Sequence, residues 1–127
     1  MTQTENVQLT LPAKTEYEGI AQTTIAHLAI RRGYTLKEVE DLRLIMAETT
    51  KLLLGSSRKN ESLRLSYEVT IEQLRLEAFI EEQNLNPLSQ KGVERFKKEV
   101  GDLVDNFSIN NKTNYISLTK LRLETES

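Results

Sequence analysis

The segment from Thr35 to Gly55 constrains the fold most, because it carries signals for both ends of a helix. Thr35 followed three residues later by Glu38 is a capping box, in which each side chain accepts a hydrogen bond from the other residue's backbone N–H. Gly55 is placed to end the helix, because glycine adopts a left-handed backbone conformation at little cost. The residues that recur at helical spacing predict one buried face; they are Val39, Leu42, Met46, Thr49, Thr50 and Leu53.

Glu48 is the unusual residue of this predicted helix. Between Arg43 and Arg58, Glu48 and Lys51 are the only charged residues, and their neighbours are mostly apolar. A carboxylate in such a setting either has structural partners, such as Lys51, or belongs to a functional site. The residues alone leave both alternatives open.

The composition predicts one ordinary domain. The chain has 127 residues, of which 38% are hydrophobic and 28% charged, values typical of a globular protein with a single core. We therefore expect a single domain over residues 1–127, with an ordered core over about residues 7–123. The net charge of −2 comes with scattered Lys and Arg residues, which argues against a nucleic-acid partner because phosphate binding needs concentrated positive charge.

Several classes of site and location are excluded by what the sequence lacks. There is no cysteine and only one histidine, His27, so a disulfide framework, a thiolate metal site and a multi-histidine metal site are not expected. No apolar run reaches the roughly 18 residues of a membrane span, and residues 1–5 lack the apolar core of a signal peptide. We expect a cytoplasmic protein without a membrane partner.

The remaining elements follow from alternation and helical periodicity. A strand over Val7–Leu11 precedes a second capping box, Thr15 with Glu18, which predicts a helix running to Arg32 and ended by Gly33. After the Thr35 helix come strands over residues 63–69 and 74–80, a helix from about residue 89, and a closing hairpin over residues 107–109 and 115–123. This order predicts a two-layer α/β (α+β) sandwich, with a mixed sheet and its helices on one face.

The first helix lacks the charged outer face that a surface helix normally shows. Its predicted core stripe consists of Tyr17, Ile20, Ala21, Thr24, Ile25 and Leu28. The opposite side consists of Gly19, Gln22, Thr23, Ala26, His27 and Ile30, among which only His27 is ionisable. That side is either covered by another element of the domain or binds another protein. His27 is expected to be a flanking residue rather than a metal ligand.

Three segments resemble the anti-sigma-factor serine-protein kinases of the GHKL (Bergerat-fold) ATPase superfamily. They are the run Leu9–Tyr17, the turn Gly33–Thr35 and the helix Glu40–Glu48, and the order of elements agrees from about Val7 to Arg122. The resemblance implies a bacterial regulator of stress or sporulation that binds and silences an alternative sigma factor. It also implies release by a small antagonist protein, which active members phosphorylate on serine with ATP and magnesium.

The family's nucleotide motifs are altered in this sequence. The family helix carries a glutamate, the presumed base, and four residues later an asparagine that holds magnesium; Glu48 matches the first, but Leu52 offers no oxygen to a hard cation. In the family's Asp-x-Gly-x-Gly motif, Glu82 stands at the aspartate and Asn84 at the first glycine, where a side chain blocks close approach of the backbone. Of the glycine-rich lid, only Gly92 remains.

The resemblance therefore predicts a degenerate member of the family. Glu48 becomes a relic of the catalytic base, Leu52, Glu82 and Asn84 become non-binding ATP positions, and neither a metal nor a nucleotide cofactor is expected. The leading hypothesis is an anti-sigma factor without kinase activity, regulated by partner switching with an antagonist and able to form a homodimer. The alternatives are a divergent serine-protein kinase that uses ATP and magnesium, and a scaffold that binds only an antagonist-like protein.

Overall fold

The computed structural model describes residues 4–55, 61–81, 87–110 and 112–122. Glu82 and Asn84, two of the predicted ATP positions, lie outside these ranges. The elements are β1 (Glu5–Pro12), a 3-10 turn (Thr15–Tyr17), α1 (Glu18–Arg31), α2 (Leu36–Leu54), β2 (Ser62–Val69), β3 (Gln73–Glu81), α3 (Gln90–Val100), β4 (Asn106–Asn110) and β5 (Tyr115–Leu121). Each predicted helix and strand is present, in the predicted order.

The five strands form one sheet in the order β1-β2-β3-β5-β4. Every strand pair of the described residues is antiparallel, so the prediction of a mixed sheet is wrong. The reason lies in the connections. Two successive helices, α1 and α2, link β1 to β2 and return the chain to the end of the sheet where β1 finished. Strands β3 and β4 run in the same direction, but β5 lies between them.

The two-layer sandwich is confirmed. Alternate residues of β2, β3 and β5 are buried against the helices, whereas their neighbours on the open face of the sheet are exposed or half-buried. Helix α2 lies in the middle of the helical layer and packs against both α1 and α3. The Tyr67 hydroxyl on β2 donates a hydrogen bond of 3.0 Å to the carbonyl of Ala21 in α1, which ties α1 to the sheet.

The predicted start of α2 is confirmed. Thr35 N–H donates to Glu38 Oε1 at 2.8 Å, and Glu38 N–H donates to Thr35 Oγ1 at 3.2 Å, which completes the capping box. The helix ends at Leu54, as expected, but Gly55 has φ −63° and remains right-handed. The prediction of a left-handed Gly55 is therefore wrong.

The prediction that Thr15 caps the start of α1 is wrong. Thr15 lies inside the 3-10 turn, α1 begins only at Glu18, and the N-cap residue Tyr17 makes no side-chain capping hydrogen bond. A capping residue needs an extended backbone ahead of the helix. Lys14 has that conformation, with φ −133° and ψ 145°. Gly33 ends α1 as predicted, because its φ of +79° is left-handed. Within the described residues, no helix is long and apolar enough to cross a membrane.

Candidate functional site

Glu48 and Leu52, at the two positions of the family's magnesium motif, lie where the last turns of α2 meet the first turn of α3. Glu48 and Leu52 are both buried on α2, and Ser89 caps the start of α3. A cavity of about 80 Å³ remains between the helices; it is lined by Glu48, Lys51, Leu52, Gly55, Ser89, Gly92, Arg95 and Phe96. Pockets for drug-sized ligands have volumes of about 300–1,000 Å³. The described part of this site is therefore far too small for a nucleotide.

Two cations hold the carboxylate of Glu48. Arg95 Nε on α3 donates to Glu48 Oε1 at 3.2 Å, and Lys51 Nζ lies 3.7 Å from Glu48 Oε2. The Glu48 side chain is only 7% exposed, whereas both cations lie more than half in solvent. The hydrogen bond to Glu48 raises the pKa of Arg95. Glu48 therefore forms the ion pair with Lys51 that the sequence suggested as one alternative. The structure adds Arg95 as a second ion-pair partner.

Leu52 packs against the start of α3. A Cβ atom on Gly92 would lie 2.9 Å from Leu52 Cδ1 and 2.7 Å from Ser89 Oγ. Real Cβ atoms essentially never approach other atoms this closely, so a side chain at position 92 would force the Leu52 methyl group and the Ser89 hydroxyl to move. Ser89 Oγ accepts a hydrogen bond of 2.9 Å from Gly92 N–H, which satisfies one of the free amides at the helix start. The leucine side chain therefore lies against the first turn of α3 and forms part of the wall of the cavity.

These donors do not fit a magnesium ion. Magnesium prefers octahedral coordination by oxygen, whereas Leu52 presents methyl groups and Glu48 is already neutralised by Arg95 and Lys51. Over the described ranges, no group of three or more histidine, aspartate or glutamate side chains is arranged to hold a metal. No catalytic step through a metal is therefore derived for this site.

The outer side of α1 differs in part from the predicted partner-binding face. Gly19, Thr23, His27 and Ile30 are exposed and Gln22 is half-buried, but Ala26 is 4% exposed and belongs to the core. Conversely, Ile20, predicted in the core, is 45% exposed. Helix α1 packs against α2 as well as β2, so its buried arc is turned towards Ala26. The term "α1 surface" below denotes Gly19, Ile20, Thr23, His27 and Ile30.

Sequence reasoning named Glu48, Lys51, Leu52 and Gly92 of this site and missed the contributions of Arg95 and Ser89. Glu48 and Leu52 stand four residues apart on one helix, so their relation is visible in the sequence. Arg95 and Ser89 reach the site only through the packing of α3 on α2, about forty residues along the chain. The cap signal of Ser89 was local and could have been recognised, since Ser89 Oγ accepts from the N–H three residues on.

The chain is similar in sequence to serine-protein kinases named RsbW. The chain is 28% identical over 78 residues to the serine-protein kinase RsbW of Bacillus subtilis, a match that covers 61% of this chain and 49% of that protein. It is 26% identical over 102 residues to the same kinase of Oceanobacillus iheyensis, covering 80% and 62%. The chain is a relative of the RsbW serine-protein kinases.

A shorter match to RsbW is more similar in sequence. The chain is 39% identical over 46 residues to RsbW of Halalkalibacterium halodurans, which covers 36% of this chain and 28% of that protein. No family model matches. The chain thus spans between 28% and 62% of the length of these three RsbW proteins. The resemblance to the anti-sigma-factor kinase family is confirmed.

Proposed function

We propose that this chain is a cytoplasmic anti-sigma factor that sequesters an alternative sigma factor without ATP-dependent kinase activity. Its relation to the RsbW proteins supports the anti-sigma role and its release by an antagonist protein through partner switching. One observation carries the loss of catalysis. Leu52 packs against Gly92 where the family places its magnesium asparagine and the start of its last helix.

The charges around Glu48 support the same proposal. Phosphoryl transfer depends on positioning and on the positive charge that a metal brings to the phosphates. Here the positive charge beside Glu48 belongs to Arg95 and Lys51, which are part of the protein. A magnesium ion entering the site would be repelled by both cations and would find no oxygen on Leu52. The protein would be a pseudokinase, in which the family fold is kept for binding.

The competing function is a divergent serine-protein kinase that phosphorylates the antagonist. The relatives are named serine-protein kinases, which favours this function, and so does the glutamate at position 48. This alternative needs a nucleotide to open the contact between α2 and α3. It therefore predicts binding that depends on magnesium and a phosphorylated product, and both can be measured.

The deciding experiment compares nucleotide binding with sigma-factor binding on the same preparation. Thermal unfolding is recorded with and without millimolar ATP and magnesium, because a ligand present at 100 times its dissociation constant adds about 2.7 kcal/mol of stability. Phosphotransfer to a candidate antagonist is followed with radiolabelled ATP. We expect no magnesium-dependent shift and no labelled product. Either signal would favour the kinase.

The anti-sigma role is tested by binding purified alternative sigma factors from the native host. We expect one of them to bind, with equal affinity in the presence and absence of ATP and magnesium. The matched variant is Leu52→Asn, which replaces the methyl groups with the family's oxygen donor. Binding of an antagonist but of no sigma factor would instead favour the scaffold that binds only an antagonist-like protein.

A further inference from the structure

The open face of the sheet, which is turned away from the helices, carries a cavity of about 190 Å³ across strands β1, β2 and β3. Its lining includes five residues that alternation places on this face: Gln8, Thr10, Arg64, Ser66 and Phe79. Ser66 is the cross-strand neighbour of Gln8, and Arg64 lies between Thr10 and Phe79 in the register. The cavity exists because the short side chain of Ser66 is surrounded by longer ones.

One wall of this cavity is a flat aromatic surface. The rings of Phe79 and Tyr115 are stacked, with centroids 5.6 Å apart and an angle of 21° between their planes. Tyr115 belongs to β5, and β2 lies on the other side of β3, so the second face of the Phe79 ring is turned towards the cavity. The Tyr115 hydroxyl donates a hydrogen bond of 2.5 Å to Glu77, which holds the pair in place. Phe79 therefore offers one ring face to a further aromatic ring.

The opposite wall is cationic. Among the described residues that line the cavity, only Arg64 has an ionisable side chain. Arg64 Nη1 donates to Thr10 Oγ1 at 3.0 Å, and Arg64 Nε lies 3.1 Å from Glu81 Oε2. A guanidinium has more N–H donors than these two contacts use. The Glu81 side chain is 57% exposed, and an exposed ion pair of this kind is weak, so a ligand carboxylate can share Arg64 with Glu81.

The size and chemistry of the cavity define the class of ligand. A cavity of about 150 Å³ accommodates benzene, whereas pockets for drug-sized ligands begin at about 300 Å³, so this cavity has room for a single ring. A ring stacked on Phe79 would turn a substituent on its edge towards Arg64. Arginine forms its strongest hydrogen bonds with anionic oxygens, because both partners are charged. The two walls therefore favour an aromatic ring that carries one acidic group.

We propose that the open face of the sheet binds a small aromatic carboxylate between Phe79 and Arg64. The ring stacks on Phe79 above Ser66, and the carboxylate accepts hydrogen bonds from the Arg64 guanidinium. The side-chain amide of Gln8 lies at the rim of the cavity and adds a further donor. This site and the helices lie on opposite faces of the sheet, so it is separate from the Glu48 site and from the α1 surface. It does not depend on the proposed function.

The test uses benzoate as the probe and the full chain without nucleotide or partner protein. Backbone amide signals of the isotope-labelled chain are followed by nuclear magnetic resonance during a titration. We expect saturable shifts confined to the strand residues around the cavity, with a dissociation constant of about 1 mM, because a single ring buries little surface. Benzylamine carries a positive charge on the same ring and should bind at least about tenfold more weakly.

Substitutions with matched controls test each contact. Arg64→Gln removes the cation and should weaken benzoate binding about tenfold. Arg75→Gln, at another exposed arginine of the open face, should leave it unchanged. Ser66→Leu fills the cavity and should abolish binding. Ser117→Leu is its control, because Ser66 and Ser117 are both neighbours of Glu77 in the register but only Ser66 lines the cavity.

A third substitution should act in the opposite direction. Glu81→Gln removes the carboxylate that competes for the Arg64 guanidinium. Benzoate should therefore bind more tightly to this variant than to the wild type. A surface that only attracts apolar molecules would show no such gain, so the direction of the change tests the role of Arg64 as the carboxylate partner.

Three results would overturn the proposal. The first is the absence of a saturable shift at about ten times the expected dissociation constant. The second is equal binding of benzylamine and benzoate. The third is undiminished binding in both Ser66→Leu and Arg64→Gln. Circular dichroism verifies the fold of each variant, and Arg64→Gln with Glu81→Gln decides the question if Ser66→Leu disturbs the sheet.

Discussion

Leu52 Cδ1 lies 2.9 Å from the position that a Cβ atom on Gly92 would occupy, so α3 rests directly on the residue that replaces the family's metal-binding asparagine. The loss of the asparagine is therefore more than a missing ligand. The leucine is part of the packing between α2 and α3, where it is only 7% exposed. Opening this contact for a nucleotide would bring this apolar side chain into water.

This contact predicts that Gly92→Ala destabilises the protein by about 1–3 kcal/mol, the usual cost of overpacking. The added methyl would also press on Ser89 Oγ and disturb the helix cap. Urea unfolding measures the change. Gly19→Ala is the matched control, since no atom lies within 4 Å of its new Cβ and alanine favours a helix by about 1 kcal/mol. Equal effects at both positions would contradict the packing argument.

The pair Glu48 and Arg95 predicts non-additive effects on stability. Arg95→Ala leaves a buried carboxylate with Lys51 as its remaining ion-pair partner, so the urea midpoint should fall. Glu48→Gln in the same chain removes the buried charge and should recover part of the loss. Because Arg95 is half-exposed, the effect should shrink in high salt. If the changes in the urea midpoint caused by the two substitutions simply add, the two residues do not interact in solution.

Glu48→Gln should also leave binding of the sigma factor unchanged. A base without a metal has no catalytic role to lose, and the Glu48 side chain is only 7% exposed, so it offers little surface to a partner. A binding titration of the variant against the wild type tests this expectation. Loss of a measured phosphorylation activity in Glu48→Gln would instead show that the site is catalytic.

Two glutamate substitutions on α1 should behave differently because their burial differs. Ala26 is 4% exposed, so Ala26→Glu buries an unpaired charge and should cost about 4 kcal/mol or more. Ile30 is 60% exposed, so Ile30→Glu should fold normally. It should instead weaken binding of the sigma factor or of a second copy of the chain. Circular dichroism and sedimentation separate the two effects. Unfolding of both variants would show that Ile30 also belongs to the core.

Stability should fall in alkali because of the buried tyrosines. Burial raises the pKa of Tyr34 to about 12 from the ordinary 10.0 and also raises the pKa of Tyr67. The folded state then holds protons that the unfolded state has lost, so stability is complete below pH 10 and declines as the pH rises through about 12. Urea unfolding between about pH 9 and about pH 11 measures how steeply the free energy of unfolding falls with pH. Tyr67→Phe should make this fall less steep, and an unchanged pH dependence would contradict this account.

Much of the architecture was readable from local patterns. The capping box of Thr35 and Glu38 depends on residues three apart, and the strands of the sheet show alternation within a few residues. Local signals failed where neighbouring elements decided the outcome. Thr15 has a capping pattern, yet the chain is already turning there. Ile20 and Ala26 exchanged their expected environments because α2 packs beside α1.

The sequence by itself determined the order of the elements, the place of Glu48 among apolar neighbours on the second helix and the loss of the oxygen donor at Leu52. These depend on residues within one or two turns of each other, where helical geometry fixes the spacing. Only the tertiary structure decided that Arg95 neutralises Glu48, that Gly92 rests on Leu52, and that Ala26 is buried while Ile20 is exposed. These relations join residues far apart in the chain, and they arise from how whole elements pack, which no local pattern encodes.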